Sequence, residues 1–413
     1  MAKEPVKDWK TDYDIFAEEY KKDPFPIWDE LREQCPVAHT ERWEGSWMPT
    51  RYEDLFKIAQ DIQHFSSRDV LVAPGGAGRD PDDPDFNEEE IPEALRDYDA
   101  GAPPITSDPP IHTWARRLLL PPFSVKAIAQ WEPHTRALCA SLVDGFADKG
   151  RCDGAVDYAQ QIPPRVIAKM IGIPEEEAGT FTEWVRNFLE LGLTNVELQG
   201  EASRNIFMYL WDRIQEHKDD PKDDLITYLL SAEVDGEPVP EPHVLGTCFL
   251  LLVAGIDTTW SSIGSAIWHL AQHPEDRKRL IEEPDLITKA VEEFLRAYSP
   301  VTMARYVAED HQYNGAKMHE GDKVLMNFPA ANRDPRKFTD PDKFIIDREE
   351  NPHIAFGVGI HRCAGSNLAR MEMRVSIEEF LKRIPDFQLE DPDAVTWAGG
   401  QVRGPRTMGL VWS

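Results

Sequence analysis

Along most of the chain, apolar residues recur with a period near 3.6, which predicts helices. The pattern holds over Val125–Asp148, Pro163–Met170, Glu175–Leu193, Ala202–His217 and Asp224–Leu230. Phe181, Trp184, Phe188 and Leu191 share one helical face and read as core, with pocket lining as the other option. Pro242 opens the longest apolar helix, from about His243 to Gln272. It is apolar on all sides through Phe249–Val253, so it should run buried through the protein. A further helix is expected over Asp285–Tyr298, ended by Pro300. Alternating strand patterns are fewer. Val37–Thr40 and Ser46–Met48 flank a Glu44-Gly45 turn and precede an amphipathic stretch, Tyr52–Ala59. The stretch around Arg305, Lys323–Met326 and Thr407–Trp412 complete the strands. No internal repeat is evident. The expected class is mainly α with small β-sheets (α+β).

Several segments break these patterns. The long helix carries Ala254-Gly255-Ile256-Asp257-Thr258-Thr259 in its interior. Glycine there costs about 1 kcal/mol relative to alanine, and a carboxylate among apolar neighbours is expensive unless paired. One reading is a polar patch satisfied by neighbours. The other is a functional distortion, in which small residues admit a ligand while an acid and an alcohol relay a proton. His112 and Arg116 lie four apart behind Pro109-Pro110, so both cationic groups face one way from a helix start. Glu293 and Arg296 form an i,i+3 pair that by itself suggests only a weak surface bridge. Finally Cys363 sits between Gly359 and Gly365, with Phe356 and His361 upstream and a helical stripe (Ala369, Met373, Ile377, Phe380, Leu381, Ile384) downstream. A cysteine just before a helix N-terminus ionises readily, and a thiolate in a glycine loop suits an iron porphyrin's axial position. The ordinary alternative is one more free cysteine at a helix start.

Composition narrows the partners. A length of 413 residues allows roughly two to three domains, but no linker divides the chain, so a single domain over 1–413 is expected. With 45 basic against 74 acidic residues the net charge is −29, which disfavours nucleic acid and anionic membranes. The N-terminus lacks an apolar signal core, and the most apolar run, Thr247–Ile256, is about half a bilayer span. The five cysteines are scattered without a CxxC pair, which fits a reducing cytoplasm and excludes the usual zinc spacings. The Pro-, Gly- and acid-rich stretch 74–104 is expected to be either a solvated excursion or a lid over a substrate pocket.

In chain order the motifs are HxxxR, AGxDT in the buried helix, ExxR, the ANRDP and PDxF turns, and FxxGxHxCxG around Cys363. This series resembles the cytochrome P-450 superfamily over essentially the whole chain. The resemblance implies a single helix-rich domain with haem b between the long helix and the cysteine-loop helix. Cys363 would be the thiolate ligand to iron. His112, Arg116, Arg305 and His361 would hold the propionates, and Phe356 would pack beside the cysteine. Ala254 and Gly255 would shape an oxygen groove, with Asp257 and Thr258 delivering protons. Glu293 and Arg296 would buttress the cysteine loop. Relatives carry Arg or His where Lys343 stands as third partner of that pair, and Lys cannot make a bidentate fork, which leaves Arg348 as a substitute.

By analogy the substrate pocket would involve Thr247, Leu250, Leu251, Val253, Val301, Thr302, Met303, Gln401 and Val402, with Thr302 or Gln401 anchoring a polar end. The implied reaction uses O2 and two electrons to hydroxylate a small to medium hydrophobic molecule such as a terpenoid, aromatic or fatty compound. The chain continues about fifty residues past Cys363 without a flavin or iron–sulfur motif. Electrons from NAD(P)H are therefore expected through a ferredoxin and a ferredoxin reductase, docking at Arg117, Arg362, Arg370 and Arg374. A cytoplasmic monomer is expected. A peroxide-driven haem enzyme and a haem-based sensor or carrier are the alternatives.

Overall fold

The computed structural model describes residues 4–73 and 101–413, so most of the expected 74–104 excursion lies outside the described residues. The chain forms two compact units, Met1–Val72 with Phe123–Pro163 and Thr258–Ser413, and Ala73–Pro122 with Pro164–Asp257. The architecture is mainly helical with small sheets, as the periodicity predicts.

The first unit holds a five-stranded sheet in the order Val37–Thr40, Ser46–Pro49, Lys323–Asn327, Thr302–Val307, Phe65–Ser66. The hairpin pairs His39 with Trp47 and Thr40 with Ser46, and Gly45 closes its turn at φ +82°. Arg305 lies opposite Val324 on the neighbouring strand. Against this sheet the helix Tyr52–Gln60 buries Tyr52, Leu55, Ile58 and Ala59. They join Phe65, Val324, Met326, Phe328, Phe338 and Ile354 in one core cluster. The helix Ser366–Arg383 buries Met373, Ile377, Phe380 and Leu381 from the predicted stripe, and Ile384 just beyond it is buried as well. The expected helix Val125–Asp148 is interrupted. It resolves into Val125–Ile128 and Glu132–Asp144, because Pro133 has no N–H to continue the ladder and instead occupies a first turn.

The second unit is mainly helical among the described residues, with one short hairpin, Glu233–Val234 and Glu237–Pro238. Here the helix read from Ala202 begins at Val196, where Asn195 caps it by accepting a bond from the Leu198 N–H. The expected Glu175–Leu193 helix is regular only over Ala178–Arg186 and then loosens into a wide turn at Asn187–Leu191. Phe181 and Phe188 are buried as expected, but Leu191 is 45% exposed and is not core. Phe181 meets Trp184 and Tyr209 edge-on, while Phe207 stacks on Phe249 with ring centroids 4.3 Å apart.

The long helix spans Glu241–Gln272 without a break. It is the one described helix long and apolar enough to cross a membrane, yet 78% of its most apolar window is buried inside the protein. It is a core helix.

Candidate active site

The loop that presents Cys363 is fixed from behind. Glu293 and Arg296 sit on the helix Ile287–Ala297, and both are fully buried. Two carboxylate oxygens accept from Arg296 Nε and Nη2, each at 2.8 Å. The remaining guanidinium hydrogens go to the carbonyls of Asn332, Pro341 and Lys343. All five donors of a buried arginine are thereby used, which is what such a group requires. The third partner is Arg348. Its Nε lies 3.0 and 3.1 Å from the Glu293 oxygens, and its terminal nitrogens donate to the carbonyls of Thr339, Asp340 and Lys343. Lys343 offers only its carbonyl, and its ammonium points out to Asp340. A flexible ammonium cannot satisfy Glu293 and three carbonyls at once, whereas a planar fork can.

This network continues into the segment before the cysteine. Asn351 Nδ2 donates to Glu293 at 3.2 Å, Tyr52 donates to the Pro352 carbonyl at 2.7 Å, and Asn332 Oδ1 accepts from the Ile354 N–H at 2.7 Å. Tyr52, Asn332 and Asn351 were not singled out by motif. Asn332 lies within ANRDP, a segment read only as a turn. The loop itself closes when the Cys363 N–H donates to the Phe356 carbonyl at 2.8 Å. Gly357 and Gly359 adopt φ +67° and +74°, and a Cβ at Gly359 would come within 2.8 Å of the Ala59 carbonyl. Only glycine fits there.

Cys363 is exposed, three residues before the helix Ser366–Arg383, whereas Cys139 and Cys248 are buried. Burial pushes the thiols of Cys139 and Cys152 up to about 12, which makes them inert. A Cβ at Gly365 would stand 3.9 Å from Cys363 Sγ, so glycine leaves the approach to sulfur open. Among the described residues Cys363 belongs to no group of three metal ligands. It is thus a single thiolate donor, suited to a metal already chelated in a flat macrocycle rather than to a bare ion. A haem fits this donor.

The long helix supplies a second surface. Between His243 and Ala271 its residues are buried except at Leu250, Ala254, Gly255, Thr258 and Trp268. Leu250, Ala254 and Thr258 follow the i, i+4, i+8 spacing of one face with Gly255 flanking it, so the helix presents an accessible stripe of small and apolar residues ending at the Thr258 hydroxyl. Asp257 is fully buried. Gly255 also has a packing reason, since a Cβ there would press 3.3 Å from Ile167 Cγ1.

The remaining expected residues are placed as follows. His112 is buried and Arg116 half-buried on the helix Ile111–Leu119, and Arg305 is buried with Nη1 donating to the Ala304 carbonyl. His361 and Phe356 are half-buried in the cysteine loop, with the Arg370 guanidinium 4.5 Å above the Phe356 ring. Thr247, Leu251 and Val253 are buried, and Thr247 Oγ1 finds no hydrogen-bond partner among the described residues. Val301 bridges Val402, and the buried Thr302 donates its N–H to the Gln401 carbonyl. Met303 is half-buried on the same strand.

Two expectations are revised. Gln401 does not offer a free amide for a substrate, because its side chain donates to the Val70 carbonyl and accepts from the Val72 N–H. Two of the four docking arginines are already engaged: Arg370 forks onto Glu292, and Arg374 bridges Glu132 and Glu378. Burial pushes the Glu292 carboxyl up, but hydrogen bonds from Arg370 and His353 outweigh it and bring it down to about 2. Arg117 and Arg362 remain exposed.

A helix-rich fold that presents one exposed thiol in a glycine loop fits a haem-thiolate protein. Residues 195–395 match the cytochrome P-450 family model. Mycinamicin IV hydroxylase/epoxidase of Micromonospora griseorubida is 32% identical over 93% of this chain and 94% of its own. Vitamin D(3) 25-hydroxylase of Pseudonocardia autotrophica is 33% identical over 91% of this chain and 90% of its own. A P-450 crystal structure in complex with hexadec-9Z-enoic acid ligated acyl carrier protein superimposes with a TM-score of 0.82 at 29% identity, covering 96% of this chain and 99% of that one. The chain belongs to the cytochrome P-450 family, and it is a monooxygenase whose cofactor is thiolate-ligated haem.

Proposed function

We propose that this enzyme hydroxylates a small to medium hydrophobic molecule, using O2 and two electrons delivered by a separate ferredoxin-type protein. The observation that carries this reading is the accessible stripe on an otherwise buried helix, Leu250, Ala254, Gly255 and Thr258, which offers a substrate apolar surface and one hydroxyl. When bound, haem supplies the oxygen activation. Cys363 Sγ would hold the iron, and the Glu293–Arg296–Arg348 network keeps the loop from shifting. Buried Asp257 serves as the proton source and Thr258 Oγ passes the proton on from the adjacent position. His112, Arg116, Arg305 and His361 are the groups that would receive the propionates. Apolar side chains at Leu250, Leu251, Val253, Val301 and Met303 orient the substrate and exclude water. The names of two relatives, a mycinamicin IV hydroxylase/epoxidase and a vitamin D(3) 25-hydroxylase, support a hydrophobic substrate. Arg362 and Arg117 remain the candidates for docking the electron donor in the cytoplasm.

The absorption spectrum of reduced, carbon monoxide-treated protein tests the first assignment. A long-wavelength Soret band should be present in wild type and absent in Cys363→Ala. If the band survives in the variant, another residue holds the iron and the assignment is wrong. Thr258→Ala should retain the band and substrate-induced spin shifts but divert electrons from product to peroxide. Unchanged coupling would remove Thr258 from the proton path.

A further inference from the structure

Away from the cysteine loop, the helix Tyr52–Gln60 ends at Asp61, and the chain turns through His64 into the edge strand Phe65–Ser66. That strand pairs with Thr302–Val307, whose continuation reaches Glu309 and His311. The His64 carbonyl accepts from the Ala308 N–H at 2.8 Å, so the two turns are held side by side. Asp61, His64 and His311 each direct one ligand atom into a common space, all within 4.8 Å of one another. His64 Nδ1 lies 2.8 and 2.9 Å from the two Asp61 oxygens, and the His64 and His311 ring centroids are 4.2 Å apart.

We propose that Asp61, His64 and His311 bind a divalent transition-metal ion of the zinc type. The donor set is the first reason. Two imidazoles and one carboxylate favour zinc, nickel or copper over magnesium or calcium, which prefer oxygen alone. The second is the surrounding shell. On the opposite edge of the His64 ring, Nε2 faces Glu309 Oε1 at 3.5 Å. That carboxylate can hold the proton on Nε2 and leave Nδ1 bare for the metal, as the outer partners of metal-binding histidines do. In the tautomer that takes the metal the ring proton sits on Nε2, so a neutral imidazole binds without releasing a proton. The third is placement. Asp61 is the C-terminal cap of its helix, the end at which the helix dipole favours a cation.

Tetrahedral zinc with bonds near 2.1 Å needs ligand atoms about 3.4 Å apart. Binding therefore requires the Asp61–His64 pair to open from 2.8 Å while the rest of the set, now within 4.8 Å, draws in, and the Asp61 and His64 side chains are 35% and 26% accessible, so an ion can enter. The remaining coordination positions are open to water. Bound there, the ion would tie a helix end and a two-residue edge strand to the hairpin His311–Tyr313/Ala316–Met318. A second cluster, His269, His273 and Asp276, is a poorer candidate. His269 is 1% accessible and its Nδ1 is held by the Tyr298 hydroxyl outside the cluster, so an ion has no entry there.

The test is calorimetric titration of the haem-loaded full chain with zinc chloride in a non-chelating buffer. One saturable site per chain is expected. His311→Gln and His64→Gln should each weaken it by about 100-fold or more, and Glu309→Gln by roughly tenfold. His273→Gln should leave it unchanged. Circular dichroism and the carbon monoxide spectrum verify that each variant is folded, and Asp61→Asn provides a further ligand variant. No saturable zinc binding, binding that survives His64→Gln/His311→Gln together, or binding abolished by His273→Gln would overturn the proposal.

Discussion

Replacing Arg348 tests what holds the cysteine loop. Its side chain is 7% exposed and its Nε meets both oxygens of a carboxylate with no exposure at all. Removing one partner of such a buried pair typically costs about 3–5 kcal/mol. Here Glu293 keeps Arg296, the Ile345 N–H and Asn351, so the loss should lie at the low end. Arg348→Ala should therefore destabilise by about 3 kcal/mol, roughly a hundredfold in the folding equilibrium. Arg348→Lys restores charge without the fork and should recover about half. The Lys343 ammonium is 70% exposed and meets only Asp340, at 3.3 Å. Lys343→Ala should change stability by less than about 0.5 kcal/mol. Urea unfolding followed by tryptophan fluorescence measures these differences, and retention of haem under the same titration reports the loop. In a double-mutant cycle, Arg348→Ala should cost at least about 1.5 kcal/mol less in a Glu293→Gln background. A Lys343→Ala effect equal to that of Arg348→Ala, or an Arg348→Ala loss under about 0.5 kcal/mol, would refute the reasoning.

Glu372 is buried, its Oε2 has no hydrogen-bond partner among the described residues, and burial raises its carboxyl well above 4.5. A raised acid stabilises the fold below the unfolded value and loses that contribution as pH climbs toward the folded value. Glu372→Gln should therefore gain on wild type as pH rises from 4.5, by up to about 1.4 kcal/mol per unit, measured by urea midpoints across pH. Gln401→Leu should cost about 1–3 kcal/mol in the same assay, because it orphans the Val72 N–H, while the Val70 carbonyl keeps its bond from the Ala304 N–H. Arg374→Ala should lower the unfolding midpoint and leave the rate of reduction by ferredoxin unchanged, since its charge is already matched by Glu132 and Glu378. Arg362→Glu should do the reverse, slowing reduction in stopped flow with no loss of haem. Equal reduction rates in wild type and Arg362→Glu would place the dock elsewhere.

The chemistry of this protein was legible because it depends on local residue types. A cysteine between glycines, an acid and an alcohol inside an apolar helix, and the motif order are all properties of the chain itself. Periodicity likewise announced the long helix and the hairpin, since an element's buried face must repeat with its geometry. Tertiary structure decided how buried polar groups were matched. The Glu293–Arg296 pair reads as a weak surface bridge from spacing alone, yet it is fully buried and held by carbonyls 36 to 47 residues away. Arg348 rather than Lys343 completes it, because burial demands every donor be placed and only a planar fork places them. Gln401 reads as a pocket residue and Arg374 as part of a docking patch, yet Gln401 bonds Val70 and Val72 and Arg374 bridges Glu132 and Glu378. Residue type sets what a side chain can do. Which partners reach it first is set by the packing of segments far apart along the chain.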